Sequence, residues 1–176
     1  YESYLALVLE MRGKLVAGGI KVVGLYGDGE KGLLKALNKV FPGIPFQLCV
    51  VHKYLRMGQI IPFKSVNRRS VPPLRRRKIL KFKRLFEATI FARSKEESLR
   101  RFEDLDWFTR AHALEKFYQG YRILRDNFRL TLTHYDYPHM ARDNNLIECF
   151  NGIIQRKLNL FKGFKKATNI DRYLKL

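Results

Sequence analysis

Ile20-Lys-Val-Val-Gly-Leu-Tyr26, running into Gly27-Asp28-Gly29, is a short apolar segment that stops on a glycine-flanked aspartate. Its length and branched residues are those of a buried strand. Beyond it Leu33, Leu34, Leu37, Val40 and Phe41 recur at helical spacing until Pro42-Gly43 stops them, and Ile44 to Val51 reads as a second strand. Strand, Gly-rich turn, helix, strand is a βαβ unit, and its right-handed crossover makes the two strands parallel. The fold class expected is therefore α/β. Asp28 then lies just past the carboxyl end of a parallel strand, where ligands bind in open α/β sheets. An Asp-Gly turn or a helix cap accounts for the residue equally well.

Working outward, Glu2 to Val16 has Leu5, Val8, Leu9, Leu15 and Val16 at helical spacing and ends on Gly18-Gly19. Two parallel strands do not make an independently stable sheet. The chain is therefore expected to be the C-terminal part of a longer protein. No apolar run approaches the roughly 18 residues of a membrane span, no basic and apolar leader precedes the first helix, and two cysteines build no disulfide framework. A soluble protein of a reducing compartment, the cytoplasm, is expected.

With 176 residues, 46% of them hydrophobic, the chain can bury a core, yet it carries a net charge of +19. Solubility does not need so much, so the partner is a polyanion, with nucleic acid ahead of a membrane surface. The charge is localised. Lys53 to Ser94 holds 13 basic residues against Glu87 alone, and Arg156 to Lys175 seven against Asp171. Ser65 to Pro73, with Arg68 and Arg69, reads as a mobile basic loop. Leu74 to Ala92 reads as a helix bearing Arg75, Arg76, Arg77, Lys78, Lys81 and Arg84, and Lys95 to Leu105 and Ala111 to Leu132 as two amphipathic helices. No strand pair is evident from Lys53 to Tyr135.

Ala141 to Asn159 reads as one helix capped by Asp143 or Asn144, with Ile147, Phe150, Ile154 and Leu158 on one face. The opposite stripe is Asn144, Glu148, Asn151, Gln155 and Asn159. Solvated stripes normally carry Lys, Glu and Arg; Asn is a poor helix former, so its repetition favours a site centred on Glu148. Carboxylates brought together in a basic protein suit divalent metal acting on phosphodiesters. Two Mg²⁺ (or Mn²⁺) ions about 4 Å apart would stabilise the attacking and leaving oxygens. Cys49-Val-Val-His52 has a metal-ligand spacing, but Cys149 with His134 or His139 completes no standard zinc finger. A buried cysteine and a strand-end histidine are the reading from spacing alone.

The strings Gly27-Asp-Gly-Glu-Lys-Gly-Leu-Leu-Lys-Ala-Leu-Asn-Lys-Val-Phe-Pro42, Gln47-Leu-Cys-Val-Val-His-Lys53 and Asn144-Asn-Leu-Ile-Glu-Cys-Phe-Asn151 together resemble the mutator-type insertion-sequence transposases. The resemblance implies a ribonuclease H-like core with an Asp, Asp, Glu triad, in which Asp28 is the second acid and Glu148 the third. It places Cys49 and His52 near the active site with Asn144, Asn145, Asn151 and Gln155, and the first Asp on a strand upstream of the opening helix. The implied division is a first core part at 1–52, an all-helical basic insertion at 53–140 and a second core part at 141–176. The implied activity is metal-dependent cleavage and strand transfer of transposon DNA by a homo-oligomer, nucleoid-associated in a prokaryotic cytoplasm. Arg68, Arg69, Arg75, Arg76, Arg77, Lys78, Lys81, Arg84, Arg156, Lys157, Lys162, Lys165 and Lys166 would hold phosphate. A non-catalytic DNA-binding protein, or a nuclease on the same fold, are the alternatives.

Overall fold

A computed structural model describes residues 1–61, 63, 66, 71–143, 145, 149, 151–153, 155 and 156. The chain divides into two compact units, Tyr1–Asp143 and Asn144–Leu176. The first is mostly helical around one small parallel sheet.

Helix α1 spans Glu2–Ala17. Its end is a Schellman arrangement: Gly19 N–H donates to Val16 O, Ile20 N–H donates to Leu15 O, and Gly19 sits at φ 65°. Strand β1 (Leu25–Gly27), helix α2 (Lys31–Val40) and strand β2 (Phe46–Leu48) follow. β1 and β2 pair in parallel, with Leu25 opposite Phe46, Tyr26 opposite Gln47 and Gly27 opposite Leu48. The βαβ unit expected from the sequence is present.

Both strands are shorter than the apolar runs 20–26 and 44–51 predict. Pro45 has no N–H to donate, so pairing starts at its carbonyl, which accepts from Leu25 N–H at 2.9 Å. At the other end Val50 already begins a helix. Val8, Leu25, Ala36, Leu37, Val40, Phe41, Phe46 and Leu48 form one core between α1, α2 and the strands.

Helices α3 (Val50–Ile60), α4 (Pro73–Ile90), α5 (Lys95–His112) and α6 (Glu115–Arg125), a 3₁₀ turn at Phe128–Thr131 and the short α7 (Thr133–Asp136) complete the unit. Pro73, expected in a loop, opens α4 at its first position, where its missing N–H has no intrahelical partner to lose. The single helix expected over 111–132 is broken. Ala113 and Asn127 take left-handed φ values of 42° and 64°, and α5 continues to His112. The apolar spacing runs through both breaks because Phe108, Phe117, Tyr121, Leu124, Phe128 and Leu132 all enter one core. Periodicity alone could not show the joints.

That second core is aromatic. Phe82 stacks on Phe117 with ring centroids 4.8 Å apart, and Phe102 on Phe128 at 4.1 Å. α3 and α6 approach so closely that a Cβ on Gly120 would lie 2.5 Å from Met57 Sδ.

In the second unit Asn145, Cys149, Asn151, Gly152, Ile153, Gln155 and Arg156 are helical. The apolar face expected from Ile147, Phe150, Ile154 and Leu158, and most of the basic loop expected at 65–73, lie outside the described residues.

Candidate active site and nucleic-acid interface

Asp28 directly follows β1 and is exposed. Its Oδ1 accepts from Glu30 N–H at 3.2 Å, an Asx turn, and its other oxygen has no partner among the described residues. Helix α2 is capped by Glu30, whose carboxylate accepts from Leu33 N–H at 2.6 Å. Asp28 itself is thus not the cap.

The flanking glycines are sterically required. A Cβ at Gly27 would lie 2.9 Å from the Phe46 ring, and one at Gly29, where φ is 89°, would lie 2.7 Å from Leu48 Cδ1. The carboxylate is therefore carried on backbone pressed against β2.

Cys49 N–H donates to Gly27 O at 2.9 Å, continuing the ladder one step beyond the strands on the Asp28 side. Cys49 is wholly buried at the start of α3. His52, expected at a strand end, lies instead in the first turn of α3, because helical backbone begins at Val50. Among the described residues no three His, Cys, Asp or Glu side chains are grouped to hold a metal.

Lys53, counted from sequence in the basic segment 53–94, is buried. Its Nζ donates to Ile123 O at 2.6 Å and Asp126 O at 3.0 Å, closing the end of α6. Burial pulls its pKa down to about 8.

The residue that sequence reasoning undervalued is Gln47, fully buried in β2. Its amide nitrogen faces Leu48 O at 2.8 Å, Thr131 O at 3.1 Å and Arg142 O at 3.2 Å. Its amide oxygen accepts from His134 N–H at 2.8 Å and lies 3.3 Å from His134 Nδ1. Since Nδ1 also faces Thr131 O at 3.1 Å, and both neighbours are acceptors only, Nδ1 carries the imidazole proton. Burial lowers the His134 pKa, which favours the neutral ring.

A second set of contacts lies alongside. Ala141 N–H donates to Tyr26 OH at 2.8 Å, and Val23 O accepts from His139 Nε2 at 3.3 Å. Met140 packs over Gly24, where a Cβ would come within 3.0 Å of it. The segment ending at Asp143 is thereby pinned to the strands that present Asp28. A glutamine inside an otherwise apolar strand was the signal in the sequence.

Glu148 and Asn144 lie outside the described residues, as do Arg68, Arg69, Lys157, Lys162, Lys165 and Lys166. Asn145, Asn151, Gln155 and Arg156 are exposed on their helix.

On α4, Arg75, Arg77, Lys81 and Arg84 are exposed and Arg76 and Lys78 half-buried, opposite the core residues Ile79, Phe82 and Phe86. Arg75, Arg77, Lys78, Lys81 and Arg84 form no ion pair among the described residues. Three of the four cations of α5 are paired among the described residues: Lys95 with Asp136, Arg101 with Glu97 and Asp104, and Arg110 with Asp106, leaving Arg100 alone. Free positive charge is thus concentrated on α4.

These features are those of a strongly basic protein with an acidic residue at the end of a parallel strand. The Mutator family of transposases matches residues 5–176, and the chain belongs to that family. Membership makes transposition its general function and DNA its partner. No curated protein and no solved structure matches the chain. Among the described residues no helix is long and apolar enough to cross a membrane.

Proposed function

We propose that this chain is part of the catalytic region of an Asp-Asp-Glu transposase with a ribonuclease H-like core, in which Asp28 and Glu148 supply two of the three metal-binding acids. The observation that carries the reading is Asp28: an exposed carboxylate at the end of a parallel strand, one oxygen fixed by the turn and the other without a partner among the described residues. Hard carboxylate oxygen is the donor that Mg²⁺ or Mn²⁺ prefers, so the residue fits the ion chemically.

Residues 1–52 and 141–176 form the two core parts in this reading, and 53–140 the helical insertion between them. In this reading the first acid of the triad lies on a strand that precedes α1. Glu2 and Glu10 lie on helix α1 rather than on a strand, and Glu10 is paired with Lys14 at 2.7 Å, so neither fits that position. A bound pair of divalent ions would activate water and stabilise both oxygens of an in-line displacement.

The chain's own groups hold and orient. Glu30 N–H fixes the Asp28 carboxylate. The exposed amides of Asn145, Asn151 and Gln155 meet phosphate or sugar oxygens beside Glu148. Arg75, Arg76, Arg77, Lys78, Lys81 and Arg84, with the basic residues from Arg156 onward, hold the DNA backbone, which positions the duplex without reading sequence. The protein acts as a homo-oligomer that brings transposon ends to target DNA.

The test is a strand-transfer assay with transposon-end DNA in Mg²⁺. Residues 1–176 alone are expected to bind DNA without joining it, and a protein that also carries the preceding strand and its Asp to join it. Asp28→Asn or Glu148→Gln should abolish joining and leave DNA affinity unchanged. Strand transfer that survives either substitution overturns the assignment.

A further inference from the structure

We propose that the cavity between the beginnings of α4 and α6 takes an unstacked nucleobase of a DNA strand, whose flanking phosphates lie on Arg75, Lys78 and Lys116. The proposal rests on DNA being the partner of this chain. It assigns the basic helix a second task besides gripping the duplex.

The cavity measures about 480 Å³, inside the roughly 300–1,000 Å³ typical of small-molecule sites. Ile61, Ile79 and Phe117 are buried at its base, and Leu74 and Leu114 stand 67% and 39% exposed at its mouth. Scattered exposed leucines are ordinary. These two share one concavity with three cations that form no ion pair among the described residues. Among the described lining residues Glu115 is the single acid, against the three cations, and it accepts from Gln119 Nε2 at 2.9 Å. The mouth is therefore apolar and net positive.

Duplex DNA matches only half of that description, because stacking hides the faces of its bases. An unstacked base presents a flat apolar face with a phosphate on either side, and matches both halves. An apolar protein side chain would fill the base of the cavity and leave the cations unanswered. An anionic lipid would match both, and is separated from DNA by experiment.

The test uses the full 176-residue chain and four probes: a short labelled single strand, the same strand with abasic sites, the corresponding duplex, and phosphatidylserine vesicles. Leu74→Ser with Leu114→Ser removes the apolar mouth without touching a buried residue. Affinity for the base-bearing strand should fall roughly 5- to 150-fold, the range for removing the stacking of one base, with abasic-strand and duplex affinities unchanged. Arg75→Gln, Lys78→Gln and Lys116→Gln together should weaken all three nucleic acids and flatten the single-strand salt slope by about 2. If the double serine variant loses its far-ultraviolet circular dichroism signal, Leu114→Gln alone carries the same comparison.

Equal losses on base-bearing and abasic strands, no loss on either, or vesicle binding that displaces the single strand would each overturn the proposal. Failure of the unaltered chain to bind duplex would overturn the DNA reading beneath it as well. The duplex arm keeps those two failures apart.

Discussion

The two cores of the first unit are held together by different means. The core around α1, α2 and the strands is mainly aliphatic, with Val8, Leu25, Leu37, Val40 and Leu48, and its sheet has only three register positions. The helical core stacks Phe82 on Phe117 and Phe102 on Phe128 and needs no ladder. The helical region is thus fixed by volume, and the strands carrying Asp28 by side-chain brackets, chiefly Gln47. The segment proposed to bind DNA is held by stacked rings; the segment proposed to hold metal depends on single polar residues.

The largest effect expected from breaking this contrast is at Phe82, which is fully buried. Phe82→Ala should cost about 3–5 kcal/mol in urea unfolding, the range for deleting a buried aromatic ring. A cost below that of Leu25→Ala would mean that the helical core is the looser one.

Lys53 comes next, because its charge is buried between α3 and α6. An unfolded lysine has a pKa near 10.4, and in the fold burial lowers it to about 8. Between those values the unfolded chain keeps a proton that the folded chain has released. Stability should therefore rise with pH from about 8 to about 10.4, by at most ~3 kcal/mol, and the contribution is flat below that window, where both states are protonated. Lys53→Met should remove the rise. The comparison is read as the difference between the two proteins, so that tyrosine ionisation cancels. A difference independent of pH would show that Lys53 keeps its ordinary pKa.

Gln47→Met preserves volume and leaves His134 N–H, Thr131 O and Arg142 O without that partner. The cost should be about 1–3 kcal/mol, with faster amide hydrogen exchange at His134 and unchanged exchange across α4 and α5. Faster exchange in α4 would show that the two cores are not independent. The smallest stability effect belongs to α4's surface. Replacing Arg75, Arg76, Arg77, Lys78, Lys81 and Arg84 by Gln should change stability by less than about 0.5 kcal/mol per site. It should also reduce the duplex salt slope by about 0.9 for each phosphate that these cations no longer neutralise.

What the sequence made legible follows the same division. The helical periodicity of α1, α2 and α4 could be read directly, since the residues that bury each face lie three and four apart in the chain. The strand lengths could not, because a strand extends only as far as its partner. Pro45 and the start of α3 at Val50 limit β1 from outside its own sequence. The break at Ala113 was hidden for a related reason, since α5 and α6 feed one core in phase. At the candidate site Asp28 was visible from its glycines and its strand. Gln47 was not singled out, since its partners lie 84 to 95 positions further along the chain. Lys53 was misplaced because a charge count cannot tell a surface cation from one closing a helix end.

The central claim is that Asp28 and Glu148 serve one metal position, and Mn²⁺ affinity read by electron paramagnetic resonance tests it most directly. Affinities of the unaltered chain, Asp28→Asn, Glu148→Gln and the double variant form a double-mutant cycle. A shared ion predicts a coupling of at least about 1 kcal/mol, so that the double variant loses less than the sum of the single losses. Losses that add to within about 0.5 kcal/mol, the behaviour of independent sites, would contradict the account.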